Sequence, residues 1–234
     1  GILMKNLCIT LHIKTPIIPG KYPLNLDGLL YWAAFEDCGE DEQEALKIVD
    51  RALGSALGVY KSSNMIYLHT PQQGLTQHEA VFSTNFNWRE HPYPTKKKSI
   101  MELGGPYRSR LTTYDSIGCQ AVRFYAVGEP DLIRFLIDSA GFVGRGNNQG
   151  HGEISDIIID EIDNDWSWYK AEENNAIVTL QRSLPVHVAE QLDVLKNTLD
   201  PADQTLVRTK PPYTASKEDV GYSTLFRREV LVSI

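Results

Sequence analysis

Twelve residues, Gly141-Phe-Val-Gly-Arg-Gly-Asn-Asn-Gln-Gly-His-Gly152, hold five glycines, and the patterns on either side of them limit the folds open to this chain. Glycine adds backbone entropy to the unfolded state and packs nothing, so such a run serves positive-φ turns or the close approach of a ligand's backbone. Before it, Glu129-Pro-Asp-Leu-Ile-Arg-Phe-Leu-Ile-Asp-Ser-Ala140 has the periodicity of a helix. After it, Glu153-Ile-Ser-Asp-Ile-Ile-Ile-Asp-Glu-Ile162 has that of a strand. Dinucleotide and P-loop motifs run strand, loop, helix, so that phosphate meets a helix N-terminus. Here the order is reversed. The spacing fails as well: Gly144-x-Gly146 is followed by Gln149, and no Gly-Lys-Ser/Thr occurs. Both nucleotide readings are excluded.

The rest of the pattern is mixed. Lys5 to Lys14 alternates Leu7, Ile9, Leu11 and Ile13 with Cys8, Thr10, His12 and Lys14, which predicts a half-buried strand ended by Thr15-Pro16. Asp27 is placed to cap a helix over Gly28–Phe35, and a second helix is expected from Glu42 to Leu57. Strands are expected at Met65–His69, Glu79–Thr84, Cys119–Val127 and Ala176–Leu180, and a strand-like end at Arg228–Ile234. Val186–Thr198 reads as one helix, and Trp166 and Trp168 as neighbours on one face of a strand. Asn85–Gly118, rich in Pro, Gly, aromatics and positive charge, reads as a long insertion, and long loops in compact domains are usually functional or disordered. This order is close to a ferredoxin-like (RRM-like) βαββαβ unit. The fold class expected is α+β. Residues 5–162 form the ferredoxin-like domain with an inserted arm at 87–118, and 163–234 form a C-terminal extension on the same core.

The chain of 234 residues carries a net charge of −7, which argues against a free-standing, non-specific nucleic-acid binder. The charge is uneven. From Phe86 to Phe124 there are seven Lys/Arg against three acids, and such a segment suits a subunit that meets nucleic acid on one face. Three cysteines in no ligand spacing and no apolar run of membrane length predict a reduced, cytoplasmic protein without a signal peptide or membrane contact.

On these residues the chain resembles the CRISPR-associated RAMP superfamily. Leu26-Asp-Gly-Leu-Leu-Tyr-Trp-Ala-Ala34 and Val143-Gly-Arg-Gly-Asn-Asn-Gln-Gly-His-Gly-Glu153 are similar to segments of the smaller capping subunit of type IV CRISPR effector complexes. The likeness runs from about Lys5 to Ile159. It implies a protein that grips the 5′ handle of the guide RNA (crRNA), caps a filament of backbone subunits and lacks a required nuclease activity. Contacts with the large subunit and target DNA would come through the complex.

The residues can supply that chemistry. Glycines let backbone N–H groups approach phosphates. Gly144, Gly146 and Gly150 would do so, with Arg145 neutralising a phosphate, Asn147, Asn148 and Gln149 reading bases or 2′-hydroxyls, and His151 donating to a phosphate. The insertion adds Trp88, Arg89, Lys96, Lys97, Lys98, Arg108 and Arg110, with aromatic stacking worth about 1–3 kcal/mol per base. No metal or cofactor is expected: the acids Asp156, Asp160 and Glu161 alternate with isoleucines as the wet face of a strand and lack EF-hand spacing. The enzymatic alternative is metal-independent cleavage of precursor crRNA, with His151 as base and Arg145 or an insertion lysine as cation. A protein-interaction module unrelated to RNA is the third class.

Overall fold

The computed structural model describes residues 3–20, 23–70, 76–84, 110–145, 150–224 and 227–230. Strand β1 (Lys5–Ile13) follows the expected alternation, with Leu7, Ile9 and Leu11 no more than 1% exposed. Helices α1 (Leu26–Asp37) and α2 (Glu42–Ala52) come next, joined by a tight turn. Asp41 caps α2 by accepting from the amides of Gln43 and Glu44 at 3.0 and 3.2 Å. A small hairpin, β2 (Ser55–Ala56) and β3 (Val59–Tyr60), cuts the expected second helix short. β4 (Ile66–His69), β5 (Thr76–Thr84), β6 (Arg110–Gly118) and β7 (Ala121–Gly128) follow. Helix α3 (Pro130–Ala140) has Glu129 as its cap and proline in its first turn, where the missing N–H is not needed. Gly141, at φ 73°, ends it in the left-handed conformation. β8 (Ile154–Glu161) closes the first part of the chain.

The central sheet has the order β14-β4-β7-β1-β8, where β14 is Arg227–Val230 at the C-terminal end. β1 lies antiparallel between β7 and β8, β4 is antiparallel to β7, and β14 adds parallel to β4. One face packs under the three helices. Leu7, Ile9 and Leu11, with Val122 and Phe124 of β7, meet Leu30 of α1, Val49 of α2 and Ile133, Leu136 and Ile137 of α3. Each such side chain contributes about 1.5–3 kcal/mol by leaving water. The architecture is α+β.

Between β8 and β14 lie β9 (Tyr169–Glu172), β10 (Ile177–Leu180), β11 (Leu184–Pro185), α4 (Val186–Ala189), α5 (Asp193–Thr198), β12 (Thr205–Val207) and β13 (Asp219–Tyr222). They form two small sheets, β10-β9 and β11-β13-β12, around Val59, Trp168, Leu184, Val188 and Leu195. No helix among the described residues is long and apolar enough to cross a membrane.

Four further expectations need correction. Asn25, not Asp27, caps α1: its side chain accepts from the Asp27 amide at 2.9 Å, because Asp27 is already inside the first turn and buried. The expected insertion over 85–118 is not irregular to its end, since Arg110–Gly118 is the strand β6, paired along its whole length with β5, while residues 85–109 lie outside the described residues. The expected helix over 186–198 is two short helices, broken where Gln191 and Leu192 donate three residues back to Val188 and Ala189. Trp166 and Trp168 precede β9 rather than lying in a strand. They enter different clusters: Trp166 packs on Tyr125, and Trp168 lies buried beside Val59, donating to the Tyr60 carbonyl at 2.9 Å.

Candidate nucleic-acid interface

Thr15 to Ile18, the segment leaving β1, is the geometric centre of the candidate site. Thr15 Oγ1 accepts from the amide of Glu153 at 2.9 Å, and the Pro16 carbonyl from that of Gly152 at 2.9 Å. Ile17 exchanges both backbone bonds with Ile117, at 2.8 and 2.7 Å, and the Ile18 carbonyl accepts from Arg145 at 2.9 Å. The side chains of Ile17 and Ile18 are buried, which fixes the segment from beneath. Four residues therefore hold both the stem of the glycine-rich loop and the base of the β5–β6 ribbon.

The stem explains several of the glycines. Gly144 has φ +80°, and a Cβ there would lie 2.5 Å from the Ile18 carbonyl oxygen. At Gly152, φ +67°, a Cβ would fall 1.9 Å from the carbonyl oxygen of Val143. Val143 in turn donates to Gly152, and Ile154 to Gly141, each at 2.9 Å. The chain's own close backbone approach thus requires these two glycines, and Gly141 serves the helix end. Gly150, at φ +81°, faces open space. It is the described glycine of the loop interior that leaves a surface to something else.

The expected site residues divide accordingly. Arg145 and Gly150 are exposed and His151 is half-buried, on the two sides of one stem with Gly144. Gly146, Asn147, Asn148 and Gln149 lie outside the described residues, as do Trp88, Arg89, Lys96, Lys97, Lys98 and Arg108. Among the described residues Arg110 lies at the far end of the ribbon, paired with Thr84. Eight residue steps at ~3.4 Å put it about 27 Å from the ribbon base, so the structure does not bring it beside the loop. Exposed Lys14, whose amide donates to the Glu153 carbonyl at 2.8 Å, stands next to the shared anchor; its place in the β1 alternation had disguised it as an ordinary wet-face residue.

A second constellation was not legible in the sequence. Arg182, 1% exposed, reaches into the first turn of α1. Its Nη1 donates to Asp27 Oδ2 at 3.2 Å and to the carbonyls of Tyr60 and Ser62 at 3.1 and 3.2 Å. Its Nη2 donates to the Thr209 carbonyl at 2.9 Å, and its Nε to that of Ser183 at 3.0 Å. The Tyr213 hydroxyl donates to the other Asp27 oxygen at 2.6 Å, and its ring lies where Gly28 leaves room. Burial pushes the Asp27 carboxyl above its ordinary range, against the pull of Arg182, Tyr213 and the Gly28 amide. The Tyr213 hydroxyl is also raised, by its own burial and by the carboxylate it faces. The Asp-Gly of Leu26-Asp-Gly-Leu-Leu is thus a socket for the C-terminal extension.

The sheet face away from the helices is not open either. Trp166 meets Tyr125 edge-on at 5.5 Å, and Lys170 lies over the Trp166 ring at 4.4 Å. Arg123 faces Glu229 of β14 at 3.8 Å. Toward β8, the cross-strand pairs on this face are Cys8 with Asp160, Thr10 with Ile158 and His12 with Asp156, and Ile158 and the two acids that flank it are exposed. Phosphate would be repelled there, which leaves the loop and ribbon as the candidate interface.

Comparison with known proteins agrees with the resemblance read from the sequence. The solved structure of a type III-B Cmr-beta complex bound to cognate target RNA contains a similar chain, with 14% identity and a TM-score of 0.38 over 67% of this chain. The match spans 61% of that solved chain. None of the curated proteins matches the sequence. The family described as CRISPR type IV associated protein Csf3 matches residues 59–177, just over half of the chain and the part that holds the ribbon, α3, the glycine-rich loop and β8. This chain belongs to the Csf3 family of type IV CRISPR-associated proteins.

Proposed function

We propose that this chain is a non-catalytic, crRNA-binding subunit of a type IV CRISPR ribonucleoprotein. It grips the 5′ handle of the guide and caps the filament of backbone subunits, in defence against invading DNA such as plasmids. The observation that carries the reading is the shared anchor at Thr15–Ile18, from which the glycine-rich loop and the ribbon both leave. Single-stranded RNA is held by clamping its backbone while bases are splayed onto aromatic or guanidinium planes. Two elements leaving one rigid base suit such a clamp. Arg145 and the loop amides meet phosphates, and the ribbon leads into the sequence that carries Trp88, Arg89 and Lys96–Lys98. The strand order β4-β7-β1-β8 under one layer of helices supports a ferredoxin-like, RRM-like reading, in which split βαβ units leave the loop before the last strand at one sheet end. A net charge of −7 keeps the free protein a poor general RNA binder, so its affinity is built by assembly. The large subunit and target DNA are reached through the complex.

The test is reconstitution of the complex with labelled guide and precursor RNA in EDTA. Arg145→Ala with His151→Ala is expected to lower guide retention at least tenfold, with no cut product from either protein. Unchanged retention would remove the loop from the mechanism. A discrete cut that His151→Ala abolishes would instead make the chain a metal-independent endoribonuclease.

A further inference from the structure

Helix α1 turns one aromatic surface to solvent beside a run of acids. Its buried positions include Leu26, Leu29, Leu30, Ala33 and Ala34, so the outward stripe is Gly28, Trp32 and then Phe35 and Glu36. Gly28 is covered by Tyr213, whose ring carbons would lie 3.2 and 3.3 Å from a Cβ there. One turn further on the cover ends, and Trp32 is 50% exposed. The indole stacks on Phe35 with centroids 6.1 Å apart, and Phe35 stacks on Tyr31 at 5.9 Å. One face of Trp32 is thereby held by its own helix while the other is presented to solvent. Large aromatics with restrained rotamers are the residues most often found as anchors of protein interfaces.

The surroundings choose the occupant. Glu36, Asp37, Glu40, Asp41, Glu42 and Glu44 follow directly and are all exposed. From Leu24 to Gln43 there is no lysine or arginine, and the first that appears, Lys47, is paired with Glu44 at 2.9 Å. Such a surface repels the phosphates of a nucleic acid and complements a protein surface that carries lysine or arginine around an apolar site. We propose that the Trp32–Phe35 face of α1, with its acidic rim, is a docking surface for a second protein subunit whose contact face is basic and holds an apolar pocket for the Trp32 indole. The proposal rests on the reading of the chain as one subunit of a ribonucleoprotein, and it assigns protein contact to one face while RNA keeps the loop and ribbon.

The experiment co-expresses the subunits of the complex with this chain carrying Trp32→p-benzoylphenylalanine and irradiates the purified assembly. The expected product is an adduct with one other protein subunit. An adduct with RNA, an adduct with a second copy of this chain, or an assembled complex without any adduct would overturn the proposal. In parallel, Trp32→Ala and the pair Glu40→Lys with Glu42→Lys, all at exposed positions, should leave the isolated protein folded, with a cooperative melt within a few degrees of wild type. Each should reduce incorporation of that subunit at least tenfold, the charge pair most at low salt. Normal incorporation of both variants would overturn the proposal. Guide retention is read in the same preparations: if wild type retains no guide, the RNA-binding reading fails, while the adduct still decides this surface.

Discussion

Arg182 donates from all three of its nitrogens in a buried site, and the cation would be replaceable only if the carboxylate it faces left with it. Removing one partner of a buried pair leaves an uncompensated charge and costs about 3–5 kcal/mol. Arg182→Met should therefore lower unfolding stability in urea by about that amount, and Asp27→Asn in the same chain should recover part of it. Strict additivity of the two changes would show that the pair is not coupled. The glycines of the loop predict a contrast of another kind. Gly152→Ala drives a Cβ into the Val143 carbonyl and should open the stem, lowering stability and guide retention together. Gly150→Ala meets nothing and carries only the left-handed penalty of about 1–2 kcal/mol. Equal melting temperatures for the two variants would contradict the stem geometry. Asp165 supplies a pH dependence. Its burial opposes ionisation, but donation from Ser167 and from Lys61 at 2.9 Å outweighs this and holds its carboxyl below the ordinary 3.8. Stabilisation from a depressed carboxylate is fully present above 3.8 and is lost as pH falls through the folded value. Asp165→Asn should thus be less stable than wild type near neutral pH, with the gap closing in strong acid; a gap independent of pH would count against the pair.

Among the elements, those whose pattern is local were legible and those defined by a partner were not. β1 and α3 carry their period and terminating residues in their own sequence, so alternation ended by Thr15-Pro16, and Pro130 with Gly141, were enough to place them, whereas α2 was legible in its start but not in its end, which the β2–β3 hairpin sets. β6 was hidden by its context. Leu111-Thr-Thr-Tyr114 and Ile117 are strand formers, but the Pro- and Gly-rich stretch before them drew the whole segment into one insertion. The glycine-rich loop was legible as a loop, but its hold on Pro16 and Ile18 depends on a residue pairing that no local pattern encodes. A two-stranded ribbon is marginal by itself in water, and this one is tied at its base through Ile17 and Ile117. The arm should therefore tolerate loss of its distal part. Deleting Pro94–Gly104 is expected to leave the melting temperature within a few degrees of wild type, yet to impair capping or assembly. A complex that forms and retains guide normally without those residues would take the arm out of the mechanism.

At the scale of the whole molecule, the sequence divides more readily than the structure does. A βαββαβ pattern that closes at Ile162 suggests a domain that could stand without the 72 residues after it. Three contacts argue otherwise. β14 completes the sheet beside β4, and Trp166 covers Tyr125 on the face that β14 borders. Arg182 neutralises Asp27 across 155 positions of sequence, a separation at which neither residue announces the other. Cutting the chain after Ile162 would remove all three at once. Ile66, Leu68, Ala121 and Tyr125, each at most 3% exposed, would lose their cover, and Asp27 would be left buried without a cation. The apolar area alone makes such a fragment prone to associate, and the orphaned carboxylate must either protonate or draw water into the base of α1. Residues 1–162 are therefore expected to be insoluble, or to keep helical far-UV circular dichroism while losing the near-UV signal and the cooperative melt. Restoring 163–234 as a separate chain should rescue the cooperative melt if the contacts act as described. A fragment that melts cooperatively by itself would show that the core is independent of the extension, and that the Asp27 socket serves docking rather than folding.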